Sequence, residues 1–300
     1  MSPFLYIGIT LLTFLALQDT VMQLIAVDYT SENAKKEFVE SLRETGFGVL
    51  KNHPIQQSVV TDIYAAWQAF FDSEEKHKYV YNKGTQDGFF PQSVSETAKG
   101  FTKKDIKEYF HFYPWGQCPD HLRQQLADYY KAANDLAREL LSWIEEYSPE
   151  DVSKHYSQPL SKMIEQSDQT LLRVLHYPPL SGDEEPDAIR AAAHEDINLI
   201  TILPAANEPG LQVQLKDGTW LDVPCDFGNL VVNIGDMLQE ASGGHFPSTS
   251  HRVINPEDAD MTKSRISLPL FLHPRPDVQL SERHTAGSYL QERLKELGVI

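Results

Sequence analysis

The spacing of apolar residues changes near the middle of the chain. In the first half they recur every three or four positions, which predicts amphipathic helices. Three such helices are predicted, over residues 32–45, 57–71 and 119–147. The first ends before Gly46, a residue that readily takes the left-handed conformation found after a helix C-terminus. Between the first two helices, "GFGVLKNH" alternates from Phe47 to Lys51 and predicts a strand.

Short β-rich runs replace the helical pattern after Gln169. They are "LLRVLHY", "HEDINLITILP", "LQVQL", "TWLDVP", "NLVVNIG", "HRVI" and "RISLPLFLH". Turn signals separate them, among them Asp217-Gly218, where a positive φ permits a tight hairpin. Their regular spacing favours a sandwich or a double-sheet jelly roll over alternating β-α units. A last helix is predicted near residues 288–297.

The chain from Met22 onward contains no linker, repeat or low-complexity tract, which favours one domain with accessory helices. We expect an N-terminal α/β region over 22–120, a long helical segment over 121–165, a jelly-roll core over 166–280 and a C-terminal helix within 281–300. Residues 1–21 contain the uncharged run Phe4–Leu17, which is shorter than the roughly 20 residues of a membrane-spanning helix. This run also lacks the preceding basic residue and the cleavage site of a signal peptide. The functional chain is therefore expected to start at Met22, with residues 1–21 dispensable.

Composition narrows the class of partner. The sequence carries 43 acidic and 26 basic residues, a net charge of −17, which argues against nucleic acid or an anionic membrane as partner. The chain has only two cysteines, Cys118 and Cys225, too few for a disulfide framework and without zinc-type spacing. We expect both to be buried free thiols in a protein of the reducing cytoplasm.

The run "AAAHEDINLITILP" places metal-ligand side chains against an apolar strand. If His194 and Asp196 share one strand, their side chains leave from the same face, and Glu195 points to the other. A third ligand is needed, and His251 at the start of "HRVI" supplies it. Two histidines and one carboxylate on one side of a metal are typical of non-haem Fe(II) oxygenases.

A second candidate site follows His251. Arg265 and Ser267 in "RISLPLF" lie on one face of a predicted strand among apolar residues. A buried guanidinium requires a partner, and a carboxylate can accept two parallel hydrogen bonds from it. The pattern therefore predicts a carboxylate-binding pair.

Taken together, these residues resemble the motif set of the iron- and 2-oxoglutarate-dependent oxygenases, in the branch similar to isopenicillin N synthase. "ETGFGVLKNHPI", "FFDSEEK" and "NIGD" are similar to further segments of that family, and the resemblance extends from Val27 to about Pro274. It implies a mainly β fold, a double-stranded β-helix (jelly roll), with helices from the N-terminal part packed on it. It also implies Fe(II) as cofactor, with 2-oxoglutarate and O2 as co-substrates.

The resemblance also assigns roles to residues. His194, Asp196 and His251 would be the iron ligands, and Arg265 with Ser267 would bind the far carboxylate of 2-oxoglutarate. Tyr177 in "RVLHYPP" stands where the family has a tyrosine that contacts the co-substrate. This segment departs from the family pattern R-x-N-Y-Y-P, because Leu175 replaces an asparagine and His176 the first tyrosine. We interpret His176 as structural, since neighbouring strand residues point to opposite faces.

Three functions remain open at this stage. The expected one is a dioxygenase that hydroxylates, desaturates or cyclises a small organic substrate and releases succinate and CO2. In an ethylene/succinate-forming or isopenicillin N synthase-like oxidase, the Arg-x-Ser pair would bind another carboxylate. A non-catalytic metal-binding jelly roll is the third. The sequence leaves open the substrate, the oligomeric state and which rings of "EYFHFYPWG" face the pocket, Tyr109 with His111 or Phe110 with Phe112.

Overall fold

The protein is built on two β-sheets that pack face to face. The computed structural model describes residues 23–94, 106–179, 190–205, 210–224, 226–254, 263–296 and 298. Within these residues the larger sheet has nine strands: β1 (Ala26–Asp28), β2 (Phe47–Lys51), β3 (Gly88–Phe90), β4 (Glu108–Phe112), β5 (Leu171–Tyr177), β7 (Ile200–Pro204), β10 (Leu230–Ile234), β12 (Arg265–Ser267) and β13 (Leu270–Leu272). The smaller sheet has four: β6 (Ala191–His194), β8 (Leu211–Gln214), β9 (Trp220–Asp222) and β11 (His251–Val253).

Strands distant in sequence are neighbours in both sheets. The larger sheet runs β1-β2-β10-β7-β13-β5-β4-β3, with β12 also paired to β5, and the smaller runs β6-β11-β8-β9. β1 and β2 are parallel, and the other paired strands are antiparallel. The predicted jelly roll with packed helices is therefore confirmed.

Three of the described helices, α1 (Ala34–Thr45), α2 (Gln57–Phe71) and α3 (Asp120–Glu146), pack on the outer face of the larger sheet. The other described α-helices are α4 (Glu150–Ser153), α5 (Leu160–Met163), α6 (Asp236–Ala241) and α7 (Ala286–Glu296). Phe38, Trp67 and Leu140 from the first three are fully buried in one core with Leu172 and Ile202 of the sheet. Apolar helix faces of this size must be buried, and the sheet supplies the partner surface.

The predicted helices and their ends agree with the structure to within a few residues. Gly46 follows α1 with φ 75°, and its N–H donates to Leu42 O at 2.8 Å. This glycine also permits a close approach, because a Cβ there would lie 2.3 Å from Thr249 Oγ1. The turn that follows α1 is thus packed against the segment that leads to His251.

The predicted hairpin at Asp217-Gly218 joins β8 to β9. Gly218 has φ 87°, its N–H donates to Leu215 O, and Asp217 Oδ1 accepts from Thr219 N. Only the glycine of the pair takes the positive φ. The turn therefore closes as expected, with the strain placed on the residue without a Cβ.

Two predicted strands are each divided in the structure. "HEDINLITILP" is not one strand: β6 ends at His194 and β7 begins at Ile200, in the other sheet. "RISLPLFLH" forms β12 and β13, and Pro269 lies in the break. A proline has no N–H for the ladder, which explains why pairing stops there.

Some predictions concern residues outside the described ranges. They include Cys225 and the expected dispensability of residues 1–21 with a start at Met22. Cys118 is buried and free, as predicted, and burial raises the pKa of its thiol to about 12. Among the helices that the structure describes, none combines the length and apolar character needed to cross a bilayer. The division of the chain into parts remains a prediction.

Candidate active site

Three ligand-type side chains converge between the two sheets. One nitrogen each of His194 and His251 and one oxygen of Asp196 all lie within 4.8 Å of one another. Asp196 Oδ1 is 3.9 Å from Nε2 of both histidines. The two histidines are partners in register across β6 and β11, with ring centroids 4.4 Å apart. The pairing of two strands thus brings the two histidines together, and Asp196 joins them from the segment that follows β6.

Each imidazole is oriented by a carbonyl on its own chain segment. His194 Nδ1 lies 2.8 Å from Ala192 O, and His251 Nδ1 lies 3.2 Å from Thr249 O. A carbonyl only accepts, so the hydrogen is on Nδ1 in both rings. Both Nε2 atoms therefore carry the lone pair, which is the arrangement that a metal-binding histidine needs.

Asp196 reaches the centre from a turn and not from a strand. The expectation that it shares a strand with His194 is wrong, because the chain leaves the smaller sheet after His194. The carbonyl of Asp196 accepts from Asp236 N at 2.7 Å, at the start of α6. Gly235 makes this contact possible, since a Cβ there would lie 2.2 Å from Asn198 O. The turn is therefore fixed by backbone contacts with "NIGD".

Two residues that the sequence did not identify as part of the site hold the Asp196 carboxylate. Its Oδ2 accepts from Thr201 Oγ1 at 2.5 Å and from Asn233 Nδ2 at 2.8 Å. Thr201 in turn accepts from Asn198 Nδ2 at 3.0 Å. The only sequence signal was the position of Asn233 in the "NIGD" segment, while Thr201 looked like an ordinary strand residue. These contacts leave Oδ1 to face the histidines.

The protonation states of His194 and Asp196 suit the binding of a cation. Burial lowers the pKa of His194 to about 4, although 42% of its side chain is exposed, and the charges of His251 and Lys107 act in the same direction. Burial acts to raise the pKa of Asp196, but His251, His194 and the hydrogen bonds from Asn233 and Thr201 outweigh it, so the pKa is lowered. At neutral pH the site therefore presents a neutral imidazole and a carboxylate, the forms in which these side chains bind metals.

The donor set fits Fe(II). Two imidazole nitrogens and one carboxylate oxygen from one side leave the opposite positions of a metal open, as in non-haem Fe(II) oxygenases. Among the described residues the group that could hold a metal consists of these three side chains. A closed structural zinc site would need a fourth protein ligand.

The predicted carboxylate-binding pair lies on the neighbouring strands of the larger sheet. Arg265 of β12 is in register with Tyr177 of β5, and Ser267 with Leu175. Arg265, Ser267 and Tyr177 are all buried, and the guanidinium carbon lies 6.0 Å from the centre of the Tyr177 ring. The three residues therefore form one patch. Their roles as ligands of 2-oxoglutarate are proposals, which are taken up below.

His176, which departs from the family pattern next to Tyr177, points toward the helices. His176 Nδ1 lies 2.8 Å from Glu108 Oε1 and its Nε2 lies 3.2 Å from Gln68 Nε2 of α2. Its ring stacks on Phe71 at 5.0 Å. The histidine thus faces the opposite side of β5 from Tyr177, as interpreted from the sequence.

The aromatic strand β4 has one set of rings on each face of the sheet. Phe110 and Phe112 are in the core under the helices. Tyr109 packs with Phe90, Leu175 and Tyr177 in a separate cluster on the inner face, and its ring centroid lies 5.0 Å from that of His111. Of the two sets left open by the sequence, Tyr109 and His111 therefore face the side of Tyr177.

Comparison with known proteins covers both halves of the chain. Residues 168–274 match the 2OG-Fe(II) oxygenase superfamily, and residues 22–133 match the family described as non-haem dioxygenase in morphine synthesis N-terminal. The crystal structure of a presumed oxygenase from Shewanella oneidensis shares 65% identity, covers 93% of this chain and 100% of its own, and superposes with a TM-score of 0.86.

Curated relatives are more distant. Gibberellin 2-beta-dioxygenase of Phaseolus coccineus is 27% identical over 259 residues, which is 83% of this chain and 76% of the relative. Feruloyl CoA ortho-hydroxylase 2 of Arabidopsis thaliana is 29% identical over 280 residues, 89% of this chain and 74% of the relative.

Proposed function

Because the chain belongs to the 2OG-Fe(II) oxygenase superfamily, we propose that it hydroxylates a small organic molecule, with succinate and CO2 as co-products. It is an oxidoreductase that depends on Fe(II) and 2-oxoglutarate. The observation that carries the proposal is the convergence of two imidazole nitrogens and one carboxylate oxygen within 4.8 Å. The matched relatives include a gibberellin 2-beta-dioxygenase and a feruloyl CoA ortho-hydroxylase, and the name of the second supports hydroxylation over desaturation or cyclisation.

The iron would be held by His194 Nε2, Asp196 Oδ1 and His251 Nε2. When bound together, Fe(II) and 2-oxoglutarate supply the activation of O2 and the oxidation of a C–H bond. The protein orients the ligands: Ala192 O and Thr249 O fix the two rings. Thr201 and Asn233 prevent the carboxylate from rotating, so its free oxygen stays directed at the metal position.

The far carboxylate of 2-oxoglutarate would bind Arg265, with the hydroxyl of Ser267 as a further donor and Tyr177 beside the guanidinium. A buried guanidinium can give a carboxylate two parallel hydrogen bonds, which fixes both the position and the direction of the co-substrate. The isopenicillin N synthase-like or ethylene-forming alternative would use the same pair for a different acid. We assign the chain to the isopenicillin N synthase-like branch on the segments "ETGFGVLKNHPI" and "NIGD".

Cytoplasmic location is proposed as well. Its support is cysteine usage, two residues in 300, of which Cys118 is buried and free. Fractionation of the native host cell, followed by detection of the protein with an antibody, tests it. Recovery in the membrane or secreted fraction would contradict the assignment.

The test of function compares wild type with His194→Ala. This side chain is 42% exposed, so its removal leaves the core intact and separates metal binding from folding. We expect wild type to bind Fe(II) at one site under anaerobic conditions and to convert 2-oxoglutarate to succinate when oxygen is admitted. The variant should lose both properties while its thermal unfolding in EDTA stays near that of wild type.

His121→Ala is the matched control, because His121 is an exposed histidine on α3 far along the chain from the site. It should bind iron and form succinate as wild type does. Equal iron binding by wild type and His194→Ala would overturn the ligand assignment. Iron binding without any 2-oxoglutarate turnover would favour the non-catalytic alternative.

A further inference from the structure

The short helix α6 holds the backbone turn that carries Asp196. Asp236 N, at the start of the helix, donates to Asp196 O at 2.7 Å. Met237 N donates to the next two carbonyls of the turn, those of Ile197 and Asn198, both at 3.1 Å. Because all of these hydrogen bonds join backbone to backbone, the position of the turn follows the position of α6.

The same helix holds the segment that leads to His251. Gln239 Oε1 of α6 accepts a hydrogen bond from Ser248 N at 2.8 Å. The next residue, Thr249, carries the carbonyl that lies 3.2 Å from His251 Nδ1. One helix therefore supports two of the three candidate ligands, Asp196 through backbone hydrogen bonds and His251 through the Gln239 side chain.

A helix of six residues is too short to be stable by itself, so the position of α6 depends on the groups around it. Its apolar side chains, Met237, Leu238 and Ala241, are buried in the core. Its first residue has a charged partner, because Asp236 Oδ2 lies 3.7 Å from Arg293 Nε of α7. The two side chains are only 16% and 34% exposed, so solvent ions screen this pair less than a fully exposed one.

The guanidinium of Arg293 is fixed by other residues of α7. Its Nε and Nη2 donate to Tyr289 Oη at 3.2 and 3.1 Å, and its Nη1 donates to Glu296 Oε2 at 2.5 Å. Tyr289 is buried in the same core as Met237 of α6. The guanidinium therefore has a set position on α7, and from there its charge lies beside Asp236.

The charges around Asp236 make this cation important. Burial raises the pKa of Asp236, the charges of Glu195 and Asp196 act in the same direction, and the charge of Arg293 acts against them. The two neighbouring carboxylates repel an ionised Asp236, and the nearby guanidinium offsets that repulsion. The ion pair therefore favours the position of Asp236 from which its N–H reaches Asp196 O.

We propose that Arg293 is a positioning residue of the metal site, which acts through Asp236 to hold α6 where this helix fixes Asp196 and the segment before His251. The inference rests on the proposed function, because it takes these two residues as metal ligands. His194 lies on β6, outside this arrangement. A displaced α6 would therefore change the positions of two ligands relative to the third.

The experiment compares Co(II) binding by wild type and Arg293→Gln under anaerobic conditions, with calorimetry for the Kd and absorption spectroscopy for the geometry of the bound ion. We expect Arg293→Gln to bind Co(II) about three- to tenfold more weakly and to alter its ligand-field absorption. Removal of a positive charge near a cation site would by itself strengthen binding. Weaker binding would therefore report displaced ligands and not the change of charge.

A second set of variants tests the route through Asp236. Asp236→Asn should also weaken Co(II) binding, and Arg293→Gln should have little further effect in that background, because both changes remove the same contact. Arg293→Lys should recover part of the affinity, since it keeps the charge without the planar donors. Arg283→Gln is the matched control, because Arg283 precedes α7 and forms an exposed ion pair with Glu292 at 3.5 Å. It should bind Co(II) at least as tightly as wild type.

Circular dichroism and urea unfolding in EDTA establish that each variant is folded during the titration. If Arg293→Gln does not fold, Arg293→Lys takes its place, and its affinity should lie below that of wild type. Co(II) bound as tightly and with the same spectrum as in wild type would overturn the inference, and so would losses that simply add in the double variant. A wild-type protein that binds no Co(II) would instead count against the proposed function, so the two failures are distinguishable.

Discussion

Thr201 donates a hydrogen bond of 2.5 Å to the oxygen of Asp196 that does not face the two histidines. Thr201 is on β7 of the larger sheet, whereas His194 and His251 belong to the smaller one. The candidate metal site therefore joins the two sheets through a single carboxylate. Any change that frees this carboxylate to rotate should weaken the metal site without removing a ligand.

We predict that Thr201→Val lowers the affinity for Fe(II) by about 10- to 100-fold, because Asp196 Oδ2 loses a donor. Thr201→Ser should restore most of the affinity, since it keeps the hydroxyl. Anaerobic calorimetric titration measures the effect. Thr61→Val serves as control, because the Thr61 hydroxyl donates to Gln57 O on the exposed side of α2. An unchanged iron affinity in Thr201→Val would show that the hydrogen bond does not support the ligand.

We predict that Arg265→Gln raises the KM for 2-oxoglutarate by about 10- to 100-fold, since charge-assisted hydrogen bonds to a carboxylate are lost. Arg265→Lys should fall between this variant and wild type, because it keeps the charge but not the planar pair of donors. Succinate formation against 2-oxoglutarate concentration measures it. If iron-dependent oxidation persists but only the substrate KM changes, the pair binds another acid, as in the alternative oxidase.

We predict that Gly235→Ala lowers the free energy of unfolding by about 1–3 kcal/mol and also weakens iron binding. The added Cβ would lie 2.2 Å from Asn198 O, in the turn that carries Asp196. Gly84→Ala is the matched control, because the nearest atom to its Cβ would be Asn82 Oδ1 at 3.4 Å. Urea unfolding and metal titration provide the two readouts. Equal losses in both variants would contradict a specific role for Gly235.

We predict that the metal-free protein loses stability as the pH falls from 7 to 5, in part through His273. Burial lowers its pKa to about 4, so the unfolded chain, with a pKa near 6.5, takes up the proton first. The contribution of neutral His273 to the free energy of unfolding is therefore complete above pH 6.5 and is lost as the pH falls toward 4. The loss amounts to about 2 kcal/mol at pH 5.

His273→Asn should flatten this slope by a comparable amount, and the exposed His121→Asn should leave it unchanged. Urea unfolding at pH 7, 6 and 5 in EDTA measures all three proteins. If the free energy of unfolding of His273→Asn falls with pH as steeply as that of wild type, the acid sensitivity belongs to other groups, such as His194.

Sequence alone determined the main helices and the candidate residues, because both depend on local patterns of residue type and spacing. Three- and four-residue spacing identifies α1, α2 and α3, and a helix follows from its own side chains once one face can be buried. His194, Asp196 and His251 were identifiable by residue type and order, and the structure brings their ligand atoms together. Alternation also placed His176 and Tyr177 on opposite faces of a strand, since this property depends only on neighbouring positions.

Only the tertiary structure decided how these residues meet. Asp196 leaves the strand because Gly235 and the start of α6 hold its backbone, and those residues lie 39 and 40 positions later in the printed sequence. The contacts from Thr201 and Asn233 to Asp196, and from His111 to Arg173, depend in the same way on which strands become neighbours and in which register. Register between distant strands is set when both faces of a sheet are buried at once. That burial depends on several strands together, so it cannot be predicted from any one segment of the sequence.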